Sequence, residues 1–257
     1  MTARKKKEEK VKGHNSLLTA IGSIIVIAIV KALWPQLIPI ETWSLWKSTG
    51  GFGDWIKVGW PIFAWGLGIN LIFTFIRDDD HRDYAGFRHF RDDGLRLWIT
   101  GTLISLRAGI VEEIAYRWLI FLAAIAMIRI PNFLFFGFLG FGIPEWFHNH
   151  VWGPVANWTT FQQLQPYIFS EYGWAAGAAM LTSNSFFRDG HKYQGLFGII
   201  NAWFLGMFFF WIMFTHGLWA AIVVHTLYDF LIFTYAAAYV SFKNSSARRR
   251  SRRSNGY

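Results

Sequence analysis

Residues 98–128 read WITGTLISLRAGIVEEIAYRWLIFLAAIAMI. The run exceeds the ~20 residues that carry a helix across a bilayer. It is apolar apart from Arg107 and the group Glu112, Glu113 and Arg117. Charges at membrane depth cost several kcal/mol each, so a hydrophobic run that keeps them points to function. The length fits one tilted helix or two helices meeting near residue 110.

The rest of the chain agrees that a bilayer is its solvent. Of the 257 residues 53% are hydrophobic and only 16% charged, and mean hydropathy is +0.27, a balance unlike that of an average soluble domain. Further apolar runs cover Ser16–Trp34, Trp55–Ile76, Pro131–Phe147, Tyr172–Leu181, Gln194–Phe214 and Leu218–Phe242. Ser16–Trp34 follows a basic region but lacks a small-residue cleavage pattern, so it reads as a retained anchor. The stretch from Pro35 to Asp54, rich in Pro, Gly and Trp, reads as an interfacial loop. Residues 77–97 hold five arginines and read as a cytoplasmic surface connector.

Charge is concentrated at the ends. Residues 1–12 carry six Lys or Arg against Glu8 and Glu9, and residues 243–257 carry six with no acid. The tails sum to +10 and the chain to +9, which leaves −1 for everything between them. Basic tails flanking apolar spans are topology signals that touch anionic lipid, and nucleic acid is not an expected partner. Two such tails on one, cytoplasmic, face require an even span count. The expected fold is therefore all-α, a polytopic transmembrane helical bundle of about eight spans. A basic tail (1–15), N-terminal spans with the charged connector (16–97), a core (98–242) and a second basic tail (243–257) divide the chain. There is no cysteine, which excludes disulfides and thiolate chemistry.

Ionisable residues within apolar runs form three groups. On a helix at ~100° per residue, Glu113 and Arg117 share a face, whereas Glu112 and Arg117 diverge by about 140°. Arg117 then neutralises Glu113, and burial tunes Glu112 toward a general base. In the last span His225 and Asp229 are also four apart, so Asp229 is expected to fix the tautomer of His225. Between them lies Pro144-Glu145-Trp146-Phe147-His148-Asn149-His150, whose two histidines sit ~200° apart, so at most one faces the same site. His216 precedes Gly217 in a turn and reads as interfacial.

Several proteolytic chemistries are absent. There is no His-Glu-x-x-His for a zincin, and Asp229 has no second deep aspartate for a dyad. Thr182-Ser183-Asn184-Ser185 lacks the Gly-rich frame of a serine nucleophile. Glutamate and histidine acting on water remain.

These residues resemble the CAAX prenyl protease and bacteriocin-processing family of intramembrane proteases. Its pattern is Glu-Glu-x-x-x-Arg, then an aromatic-x-x-x-His, then His-x-x-x-Asn/Asp. The first part is matched by Glu112, Glu113 and Arg117, and the last by His225 and Asp229. In the middle part His150 has Trp146 four residues before it, whereas His148-Asn149-His150 resembles the His-x-His of the prenyl-protein branch, where the first histidine is functional. The resemblance spans about residues 98–232. It implies an intramembrane polar cavity in which Glu112 activates water, His148 and His225 stabilise the oxyanion, and Glu113 and Arg117 support them. It implies peptide, prenylated or membrane-associated protein substrates amid membrane lipids. No metal is obligatory, although two His and two Glu could bind zinc. A non-catalytic bacteriocin-immunity or scaffold protein of the same fold is the alternative, and a proton-coupled transporter would show inverted repeats that the sequence lacks.

Overall fold

A computed structural model describes residues 21–76, 93–169 and 173–254, which are helical and strand-free apart from their connecting turns. In hydrocarbon a backbone must satisfy its own hydrogen bonds, and the helix does so within one segment. The helices are α1 (Ile21–Leu33), α2 (Phe52–Ile76), α3 (Gly94–Leu134), α4 (143–159), α5 (Gln165–Ile168), α6 (Trp174–Gly190), α7 (Gly195–His216) and α8 (Leu218–Ser254). The basic N-terminal tail and most of the charged connector lie outside the described residues.

Three of these helices are long and apolar enough to cross a membrane: Gly94–Leu134, Lys192–His216 and, within α8, Leu218–Ser246. Their outward faces stay greasy. On α3 alone Leu95, Ile99, Leu103, Leu106 and Val111 are exposed, an apolar surface that water would penalise and acyl chains accept.

The long run in α3 is one unbroken helix, not two, and its irregularity lies later than residue 110. Glu113–Ile120 forms a π-helical turn between the α-helical halves Gly94–Glu112 and Phe121–Leu134. The apolar stretch Pro131–Phe147 is not a span. α3 ends at Leu134, a short turn over Gly137–Leu139 follows, and α4 starts at Ile143. The hydrophobicity there comes from exposed phenylalanines of a loop broken by Gly137, Gly140 and Gly142.

The loop from Pro35 to Gly51 does more than lie at an interface. Ile38, Ile40 and Leu45 are buried in the core cluster. Trp118 Nε1 donates to Thr42 O at 3.0 Å, and the Trp43 and Trp46 rings sit 5.2 and 5.3 Å from the Trp118 ring. The loop thereby clamps the π-helical turn from outside. Its end is pinned at the α7–α8 corner, where Thr49 N donates to His216 O and Gly217 holds φ at +90°. A Cβ at Gly217 would lie 2.5 Å from Lys47 O, so both dihedral and space require glycine.

α3 and α8 run antiparallel in backbone contact. Gly94 faces Ala237 and Ser241, Gly101 faces Phe233, and Gly109 faces Ile222 and Thr226. A Cβ at Gly109 would come within 2.1 Å of Thr226 Oγ1 and 2.9 Å of its backbone nitrogen. Small residues at such a seam let helices approach closely where no hydrophobic force distinguishes partner from lipid. The seam fixes the register, and one turn beyond Gly109 it sets Glu113 against His225.

Candidate active site

The π-helical turn is where α3 becomes polar. Such turns are rare and gather at functional sites, because the i→i+5 pattern brings side chains together that an α-helix separates. Glu113 and Arg117 are both fully buried, and Arg117 Nε lies 3.2 Å from Glu113 Oε2. The contact is an ion pair without aligned hydrogen-bond geometry, and among the described residues the other guanidinium nitrogens have no hydrogen-bond partner. Instead the guanidinium carbon stacks 4.1 Å from the Phe187 ring centre and 5.3 and 5.6 Å from those of Phe209 and Phe210. A weakly hydrated, planar cation suits such an aromatic cage.

The other oxygen of Glu113 reaches across the seam. His225 Nδ1 is 2.7 Å from Glu113 Oε1, a link spanning 112 residues of sequence, and the Phe209 ring stacks on the imidazole at 4.5 Å. Nδ1–H therefore donates to the carboxylate, and Nε2 is the nitrogen left for other work. Asp229 is not the partner that orients this ring: its Oδ2 lies 3.7 Å from Nε2, beyond hydrogen-bond reach. Four-residue spacing brought the two side chains near, but a longer-range carboxylate took the better position.

Glu112 is half-buried and turns elsewhere. It lines a cavity of about 320 Å³ together with His191, Asn201, His225, Tyr228 and Asp229. Asn201 has a settled orientation, because Trp65 Nε1, which can only donate, lies 2.8 Å from its Oδ1. Trp65, Phe197, Asn201 and Leu205 also border a second, mainly apolar cavity of about 650 Å³ enclosed by α2, α7 and the turn from Thr159 to Leu164. The two chambers thus share a wall.

The middle motif stands apart. His148 is buried, and its Nε2 is 2.9 Å from Ile168 O, with Phe169 and Trp174 around the ring. It ties α4 to α5. His150 is exposed, stacked on Trp146 at 5.0 Å, with Nδ1 2.8 Å from Trp146 O. Glu145 takes its backbone and carboxylate contacts from Asn132. None of the three lines the cavity of Glu112, whose second imidazole is His191. His191 lies in a polar connector, where a solvated histidine is ordinary, yet Phe187 stands four residues before it, so the aromatic-x-x-x-His spacing is met here as it is at Trp146 and His150. Among the described residues no three His, Asp or Glu side chains group as metal ligands.

Residues 94–231, more than half of the chain, match a family model described as type II CAAX prenyl endopeptidase Rce1-like. The match begins with α3 and ends two residues past Asp229, so it takes in Glu112, His191, His225 and Asp229 on the cavity wall, while the lining continues into α2 and beyond residue 231. No curated protein and no solved structure gives a significant match.

Proposed function

Because this chain belongs to the Rce1-like family of type II CAAX prenyl endopeptidases, we propose that it is an integral membrane endopeptidase in which Glu112 activates the attacking water. The observation that carries this reading is the division between the adjacent glutamates. Glu113 is sealed between Arg117 and His225, whereas Glu112 faces the cavity that His225 and Asp229 also line.

In this mechanism the Glu112 carboxylate takes a proton from water as its oxygen attacks the scissile carbonyl. Negative charge develops on the carbonyl oxygen. His225, anchored at Nδ1 by Glu113, presents Nε2–H to that oxyanion, with Asp229 Oδ2 3.7 Å from Nε2. Arg117 pairs with Glu113 in a site closed to water. His148 and His150 take no chemical part here. His148 instead holds the segment that follows α4.

The cavity is proposed to lie within the bilayer. Glu112 is 18 residues into α3, about 27 Å from its start, and His225 is seven residues into α8, about 10 Å from its start. The substrate is a protein or peptide bearing an isoprenoid, with its backbone in the polar cavity and its hydrocarbon in the adjoining apolar one. The test is cleavage by the purified protein in lipid vesicles of a prenylated C-terminal peptide and of its unprenylated counterpart, with products read by mass spectrometry. Release of a C-terminal fragment from the prenylated peptide at the higher rate is expected. Absence of cleavage of either defeats the reading.

Both basic tails are proposed to face the cytoplasm, on either side of an even number of crossings. Protease added to sealed inside-out vesicles should then trim both tails, and protection of one of them would require an odd count.

A further inference from the structure

Arg107 is a charged residue of α3 that the mechanism above leaves without a task. It lies about 20 Å along the helix from Gly94 and is exposed. Leu103, Leu106, Ile110 and Val111 surround it on the helix, and all four are exposed apolar side chains. Among the described residues no acidic group pairs with its guanidinium, whereas Arg117 holds Glu113, and Arg188 and Lys192 share Asp189. A cation within an apolar run is expensive unless an anion meets it, and this one finds no anion on its own chain.

The place of Arg107 on the helix says where that anion comes from. Successive residues turn by ~100° about the axis. Leu106, one step to one side, faces outward, and Ala108, one step to the other, lines the polar cavity with Ile104 and Glu112. The guanidinium thus stands at the rim, where the α3 wall of the cavity meets the apolar outer surface. Glu112 is five residues further on in regular α-helix, about 7.5 Å along the axis.

Resting on the endopeptidase reading, we propose that Arg107 binds the free C-terminal carboxylate of the substrate and so fixes which peptide bond reaches Glu112. A prenyl chain is carried by a cysteine fourth from the C-terminus, so cleavage after that cysteine leaves three residues beyond the scissile bond. Three extended residues span about 10 Å. That length takes the carboxylate from a carbonyl beside Glu112 to a guanidinium at the separation just given, held one side-chain length out from the axis. The hydrocarbon leaves in the other direction, past Phe197, Asn201 and Leu205 on the α7 wall that the two cavities share. A guanidinium suits the task because its planar fork takes both carboxylate oxygens at once. Arg107 is a specificity residue, and no proton moves through it.

The test measures cleavage of a prenylated peptide with a free C-terminal carboxylate, and of the same peptide ending in an amide, by wild type, Arg107→Gln and Arg107→Lys. Wild type should prefer the acid by about 10–10²-fold in kcat/KM, the range that hydrogen bonds to charged groups supply. Arg107→Gln should lose that factor on the acid, mainly through KM, and far less on the amide, so that the two peptides become nearly equal. Arg107→Lys keeps the charge without the fork and should retain part of the preference. Lipid phosphate offers the same anionic oxygens, so the series is run both in phospholipid vesicles and in dodecyl maltoside micelles, which hold no phosphate. A preference for the acid that persists in micelles and disappears in Arg107→Gln supports the assignment. Equal losses on acid and amide, a preference that Arg107→Gln keeps, or an effect seen only with phospholipid overturns it while the endopeptidase reading stands. A wild type that cleaves neither peptide overturns both.

Discussion

Glu112→Gln should reduce peptide cleavage by about 10²–10⁴-fold or more and leave the fold intact. The amide matches the carboxylate in shape but cannot accept a proton from water. Among the described residues Glu112 makes no buried ion pair that the change would break, and it is half-buried at the wall of a cavity. The unfolding midpoint should therefore stay near that of wild type while turnover collapses. Glu113→Gln should behave differently, because that carboxylate holds both Arg117 and His225. It should lose stability together with activity. An active Glu112→Gln beside a stable but inactive Glu113→Gln would reverse the two roles.

The largest effect on stability is expected from Arg117→Met, about 3–5 kcal/mol. The methionine can lie among Phe187, Phe209 and Phe210, but Glu113 loses its cation in a site closed to solvent. That penalty comes from an uncompensated charge, so removing the charge as well should relieve much of it. The double variant Arg117→Met, Glu113→Gln should accordingly unfold at a higher temperature than Arg117→Met alone. Thermal unfolding in detergent reads all three proteins. Equal midpoints for Arg117→Met and wild type would mean that the pair contributes nothing.

Local spacing made part of this site legible. Glu113 and Arg117 are four residues apart, and that pairing survives the π-helical turn because i+4 and i+5 neighbours both lie close there. The same turn undermines the 140° separation assigned to Glu112 and Arg117, which presumed a regular 3.6-residue period. What separates the glutamates is the cavity on one side and the seam on the other. The link from Glu113 to His225 was invisible in the sequence, since it depends on the register of two helices packed through Gly94, Gly101 and Gly109. A helical period read along one chain segment carries no information on which residue of another segment it meets. His191 did carry a local signal, Phe187 four residues before it, but Trp146 and His150 show the same spacing, and only the fold brings one of the two histidines to the cavity. The false span over Pro131–Phe147 had a visible warning in its Gly and Pro residues, which its many phenylalanines outweighed.

The seam between α3 and α8 also bears on how the protein enters the membrane. α3 carries Arg107, Glu112, Glu113 and Arg117 within eleven residues, and insertion scales charge about 2.5–3.5 kcal/mol for such a residue at mid-bilayer. The hydrogen-bond partner of Glu113 across the seam, His225, is translated 112 residues after it, about 6–22 s later at typical elongation rates. During that interval the translocon holds a segment that partitions poorly into lipid on its own. α3 is thus a late and conditional tenant of the bilayer, and nascent chains halted before α8 should leave it accessible to aqueous labels.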